Sequence, residues 1–132
     1  MVDPISDMLT RIRNAQAVGH KTVDFPYSRI KFEVANILSN EKYLGSVSKK
    51  GKSDDKKIEV TLKYKENKQK TPLIGGLKKI SKSGQRIYIS AKDLGRFARQ
   101  KGTTILSTSS GIMTTKEAKK KGVGGEILCT IW

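Results

Sequence analysis

From Ile58 to Tyr64 every second residue is apolar. Ile58, Val60, Leu62 and Tyr64 alternate with Glu59, Thr61 and Lys63. Successive side chains of a strand point to opposite faces, so this pattern predicts a half-buried strand with one wet face. Residues 49–57, KKGKSDDKK, read as a charged hairpin loop that joins it to a strand starting at Gly45. Before that point the apolar period is helical. Ile5, Met8, Leu9 and Ile12 form one stripe, with Arg11, Arg13 and Asn14 off it. Asp3 is placed to cap that helix, Pro4 suits its first position, and Gly19 closes it. Residues 21–25, KTVDF, read as a short strand broken by Pro26-Tyr27-Ser28. Ser28 then caps a second helix whose apolar face is Ile30, Val34, Ile37 and Leu38.

Residues 65–71, KENKQKT, contain no apolar residue and precede Pro72. They mark a boundary between two lobes, 1–68 and 69–132. The second lobe is strand-rich. Apolar positions in 73–80 are interrupted by Gly75-Gly76, Lys82-Ser83-Gly84 reads as a turn, and Arg86–Ile89 as a strand. A short helix falls within 91–101 and ends at Gly102, followed by a strand over Thr103–Ser107. Thr114 and Glu117 have capping-box spacing for a second short helix that Gly122 stops. GEILCTIW closes the chain as a strand.

Charge narrows the function. The 132 residues hold 27 Lys and Arg against 12 Asp and Glu, a formal net charge of +15. Such an excess attracts polyanions, and its spread from Arg11 to Lys121 predicts a folded basic surface rather than a basic tail. Nucleic acid is the expected partner, ahead of an anionic membrane or a merely solvated basic face. A single cysteine, Cys129, excludes an internal disulfide and a cysteine zinc cluster, and fits a reducing, cytosolic setting. A single histidine, His20, excludes paired-histidine metal sites. No apolar run approaches the roughly 20 residues that span a bilayer, and MVDPISDM lacks the character of a secretory signal. No cofactor or metal is expected.

Hydroxyls, glycines and lysines concentrate in STSSGIMTTKEAKKKGVGGE at 107–126. A phosphate loop needs a glycine loop ending in Lys-Ser/Thr between strand and helix, which is absent. A serine nucleophile needs an oriented base; His20 reads instead as an exposed loop residue, and Asp54-Asp55 as solvated turn residues. A surface for a nucleic-acid backbone remains. Hydroxyls and backbone N–H groups bond phosphate and sugar oxygens, and glycines permit close approach. Lys116, Lys119, Lys120 and Lys121 add charge on a helix whose N-terminus favours anions. Composition separates RNA from DNA only weakly. A hydroxyl-rich face suits irregular RNA, with its 2′-hydroxyls and splayed bases. Tyr88 is a candidate to stack on such a base or, equally, to pack in the core.

Four motifs carry a resemblance. DPISDMLTRIRNA at 3–15, ISKSGQRIY at 80–88, STSSGIMT at 107–114 and GVGGEILC at 122–129 resemble, in order and spacing, those of the eighth small-subunit ribosomal protein family, bacterial type. The resemblance implies an α+β fold of two lobes. The N-terminal lobe runs helix–strand–helix–strand–strand, as the periodicities also read. The C-terminal lobe is strand-rich and binds RNA. It implies a non-enzymatic protein of the cytoplasmic ribosome, monomeric outside it. That protein binds the central domain of small-subunit ribosomal RNA at an irregular internal loop, beside neighbouring ribosomal proteins. In some members it also binds the messenger RNA of their own operon.

Carried over by position, the strongest RNA contacts fall on Ser107, Thr108, Ser109 and Gly111. Tyr88 supplies the aromatic of the RIY motif, and Gly124, Gly125 and Glu126 a flanking loop. Ser28 and Lys31 match RNA-facing positions of the first lobe. Arg13 and Lys116 add basic contacts. Glu126 would accept from a base amino group or 2′-hydroxyl, or hold a loop N–H, while Cys129 reads as buried packing. Three places depart from the family pattern: Lys82-Ser83 stand for Arg-Pro, Ser110 for a common basic residue, and Thr115 for an aspartate. The alternatives are a nonspecific basic nucleic-acid protein and an enzyme acting on RNA.

Overall fold

A computed structural model describes residues 3–98 and 102–132. The chain forms two compact units, one ending at Ile74 and one starting at Gly75, and the fold is α+β.

In the first unit, helix α1 (Pro4–Ala17) starts as its cap dictates. The Asp3 carboxylate accepts from the Ile5 and Ser6 N–H groups at 3.0 and 3.3 Å, satisfying donors that no helical carbonyl can reach. Ile5, Met8, Leu9 and Ile12 are buried on one face. Gly19, at φ +75°, ends the helix by turning the chain, and the His20 N–H bonds the Ala15 carbonyl. Strand β1 (Thr22–Pro26) leads to helix α2 (Arg29–Asn40), then β2 (Leu44–Lys50) and β3 (Lys57–Leu62). The three strands form an antiparallel sheet in the order β1-β3-β2.

Ile58, Val60 and Leu62 are buried while Glu59 and Thr61 are more open, as the alternation requires. Tyr64 lies beyond the strand and donates its hydroxyl to the His20 carbonyl at 2.5 Å. Burial raises its phenol pKa above the ordinary value. The charged loop is shorter than its sequence suggests, because Lys49 and Lys50 still pair with Ile58 and Lys57. Asp54 and Asp55 sit exposed in a 3-10 turn.

The buried stripe of α2 is Lys31, Val34, Ala35 and Leu38, with Ile30 and Ile37 only half-buried. The stripe is therefore rotated from the purely apolar one. A lysine stem packs against the core like a hydrocarbon, and small Ala35 lets the helix come close. Residues 65–71 fold back onto the first unit: Tyr64 bridges Pro72, and the Lys65 N–H donates to Thr71 at 2.6 Å.

The second unit holds β4 (Leu77–Lys79), β5 (Tyr88–Ile89), a short 3-10 turn, α3 (Leu94–Ala98), β6 (Thr103–Thr108), β7 (Gly111–Thr114), α4 (Thr115–Lys121) and β8 (Gly125–Ile131). The sheet order is β4-β8-β6-β7, and β5 also pairs with β8, beside Gly125 and Glu126. One face carries Leu106, Met113 and Ile127, buried with Leu94 and Ala118 from the helices. The end of the helix expected over 91–101 lies outside the described residues. The strand expected over Arg86–Ile89 is only Tyr88–Ile89, because Ile87 is held by a side chain: buried Ser81 accepts from its N–H at 2.9 Å.

Thr114 caps α4 as its spacing predicts, accepting from the Glu117 N–H at 3.2 Å. The Glu117 carboxylate meets the Thr114 hydroxyl at 3.3 Å, whereas a capping box would direct it to the Thr114 N–H. Gly122 ends the helix at φ +70°.

Candidate nucleic-acid interface

Strand register builds the C-terminal surface. Tyr88 on β5 lies opposite Glu126 on β8, Glu126 opposite Ser107 on β6, and Ser107 opposite Ile112 on β7. Directly paired residues point to the same side of a sheet, so these four form one row across it. The neighbouring residues Leu106, Met113 and Ile127 belong to the core face, which puts the row on the opposite, open face. Tyr88 is 68% exposed. The side chain is therefore not packed in the core.

The hydroxyl segment is the hairpin turn at the end of that row. β6 and β7 are joined by Ser109 and Ser110 alone, with Thr108 paired to Gly111. Neither serine takes a positive φ; that step falls on Gly111 at +110°, where a side chain would be strained. The Thr108 hydroxyl is committed to the turn: it donates to the Gly111 carbonyl at 2.8 Å and accepts from the Ser110 N–H at 3.1 Å. Ser109 and Ser110 are exposed at the tip, and neither side-chain hydroxyl has a hydrogen-bonded partner among the described residues. The turn is thus a hydroxyl-bearing knuckle braced from within.

Gly124 and Gly125 have an intramolecular reason to be glycine. A Cβ on Gly124 would overlap the Ile89 carbonyl oxygen and come within 2.9 Å of the Ala91 nitrogen. A Cβ on Gly125 would overlap the Ser107 carbonyl oxygen. Their absent side chains let β8 sit tightly against its neighbours, which sets the height of the Tyr88–Glu126–Ser107 row.

Among the described residues Glu126 reaches no loop N–H. Its carboxylate accepts from Arg86, whose Nη1 lies 3.1 and 3.3 Å from its two oxygens. Arg86 and Ile112 are the members of this surface that sequence reasoning missed, together with buried Ser81, which holds the backbone between Arg86 and Tyr88. The only local signal for Arg86 was its place in the RIY motif, two residues before Tyr88.

Lys116, Lys119, Lys120 and Lys121 are exposed along α4. The last three also sit in the final turn, where cations complement the negative end of the helix. Lys116 is outside the row built by the strands. In the first unit, Arg13 is exposed on α1. Ser28 caps α2 through a 3.2 Å bond from the Lys31 N–H, so that hydroxyl already serves the helix. Lys31 is only 6% exposed, with Nζ 5.8 Å from the centre of the Phe25 ring. Burial lowers its pKa, Asp7 opposes that shift and Arg11 adds to it. Its stem is packed into its own unit, and its ammonium stands over the Phe25 ring.

A profile of the ribosomal protein S8 family matches residues 3–132. The chain belongs to the ribosomal protein S8 family. Among its relatives, the small ribosomal subunit protein uS8 of Thermoanaerobacter pseudethanolicus is 48% identical over 132 residues, all of this chain and 98% of the relative. Those of Kineococcus radiotolerans and Dictyoglomus thermophilum, under the same name, are each 46% identical over the same span. The match covers the residues of the row and of the hydroxyl turn.

Proposed function

We propose that this protein is a structural component of the small ribosomal subunit in the cytoplasm. It binds the central domain of small-subunit ribosomal RNA directly and helps that domain assemble, without catalysing a reaction. The observation that carries this reading is the braced hydroxyl knuckle beside an exposed tyrosine, on a protein of net charge +15. A rigid neutral knuckle bonds sugar and phosphate oxygens only where the RNA fits its shape, while lysines attract any RNA. The second unit is the RNA-binding lobe, and the S8 relatives are named as small-subunit proteins.

Ser109→Ala tests the knuckle. It removes one hydroxyl from an exposed position and leaves the Thr108 brace intact. Affinity for a central-domain ribosomal RNA fragment should fall by about 1 kcal/mol or more, as when a hydrogen bond is lost and its partner stranded. Affinity for an unrelated duplex should hold. A competition titration at fixed salt reads both, and equal losses on both RNAs would reduce the turn to a solvated connection.

The lysines should behave in the opposite way. Replacing Lys119, Lys120 and Lys121 together by glutamine should weaken both RNAs alike. Each lost phosphate contact should flatten the log–log salt dependence by roughly 0.7 to 0.9. Binding measured across a salt series checks this, and altered discrimination at an unchanged slope would show that they do not contact phosphate.

A further inference from the structure

We infer that Glu126 is a positioning residue, holding the Arg86 guanidinium on the Tyr88–Ser107 face so that its Nε and Nη2 meet an RNA phosphate. The inference rests on the reading that this face binds RNA. It assigns Glu126 no contact of its own, and makes Arg86 the contact instead.

Three observations support it. The Glu126 side chain is only 14% exposed, whereas that of Arg86 is 57% exposed. The carboxylate therefore lies beneath and the guanidinium above it. Both carboxylate oxygens are engaged by Nη1 alone. A guanidinium has five N–H donors, so Nε and both hydrogens of Nη2 stay available, with no partner among the described residues. The backbone that carries Arg86 is also fixed. Ser81 brackets Ile87, accepting from its N–H at 2.9 Å and donating to its carbonyl at 3.3 Å, and the Ile127 N–H bonds that carbonyl too. Arg86 and Tyr88, on either side of Ile87, are thereby held.

The chemistry explains an acid on a surface that meets phosphate. A bare carboxylate between Ser107 and Tyr88 would repel phosphate. Paired with Arg86, it is neutralised, and the arginine is ordered before RNA arrives. An arginine free in solvent would lose that rotamer freedom on binding, which weakens affinity. The remaining fork suits phosphate better than a point charge does. An exposed ion pair kept only for stability would contribute little and would leave RNA discrimination untouched.

The test is a double-mutant cycle on the full chain. Binding of the central-domain ribosomal RNA fragment and of an unrelated duplex of equal length is measured across a salt series, with thermal unfolding of each variant as a folding check. Arg86→Gln should weaken the cognate fragment by about tenfold or more, the loss of a charge-assisted fork, and flatten its salt slope by roughly 0.7 to 0.9. Glu126→Gln should also weaken cognate binding, although it makes the protein more positive. The double variant should bind within about twofold of Arg86→Gln, because the two effects share one contact. Arg86→Lys keeps the charge, and should keep the slope while losing discrimination.

Tighter binding by Glu126→Gln, or an equal loss from it in the Arg86→Gln background, would overturn the inference. So would wild-type discrimination in Arg86→Lys, a result that does not depend on any Glu126 variant. A wild-type protein that failed to discriminate between the two RNAs would overturn this inference and the proposed function together. Discrimination without coupling would overturn this inference alone.

Discussion

Gly125→Ala should unfold or badly loosen the C-terminal unit and abolish specific RNA binding with it. The added Cβ would overlap the Ser107 carbonyl oxygen, and would lie 2.9 Å from the Ser107 carbonyl carbon and 3.1 Å from the Thr108 Cα. All three are backbone atoms of the neighbouring strand, so no rotamer change relieves the clash. β6 and β8 must part where Ser107 pairs with Glu126 and Thr108 with Gly125. Overpacking a core usually costs about 1–3 kcal/mol. A backbone collision inside a paired sheet should cost about 3 kcal/mol or more, among the larger single-site effects. Because the same pairing aligns Tyr88, Glu126 and Ser107, cognate affinity should fall with stability. Gly84→Ala is the control. A Cβ there meets nothing within 4 Å, and that variant should melt and bind like the parent. Thermal unfolding by circular dichroism checks both, and a normally stable Gly125→Ala would show that β8 does not approach β6 so closely.

Phe25→Ala should produce the largest loss in the N-terminal unit. Phe25 is 1% exposed and lies beneath the Lys31 ammonium. Truncating a buried phenylalanine costs about 3–5 kcal/mol through lost burial and the cavity left behind. Here a desolvated lysine also loses the ring it lies against, an interaction of roughly 0.5–2 kcal/mol. The thermal midpoint should fall by about 10–20 °C. Phe25→Leu, which keeps most of the volume, should lose much less. If Phe25→Ala melted within a few degrees of wild type, Phe25 would not be a centre of that core.

Local signals make α1, β3 and the ends of α4 readable in the sequence. Asp3-Pro4, the Ile58–Tyr64 alternation and Gly122 each act within a few residues, through a cap, a pleat and a left-handed turn. The hydroxyl turn was readable as a place but not as a device. Nothing local says that Thr108 braces the turn while Ser109 and Ser110 stay open. The buried stripe of α2 lies one step from its apolar residues because Lys31, polar by type, packs its stem inside. Gly124 and Gly125 read as room for a partner, yet the atoms closest to them are backbone of their own sheet. The Arg86–Glu126 pair spans 40 residues and exists only because β5 and β8 meet. A contact made by strand register leaves no periodicity behind.

On the function proposed, this S8 chain recognises one RNA shape rather than RNA in general. That selectivity is tested most directly by titrating the full chain against a central-domain ribosomal RNA fragment and an unrelated duplex of equal length, at one salt concentration near physiological. The ribosomal fragment should bind at least about a hundredfold more tightly, a modest share of the range that specific nucleic-acid binders reach over nonspecific sites. Affinities equal within about twofold would contradict the claim and leave a basic protein held by charge alone.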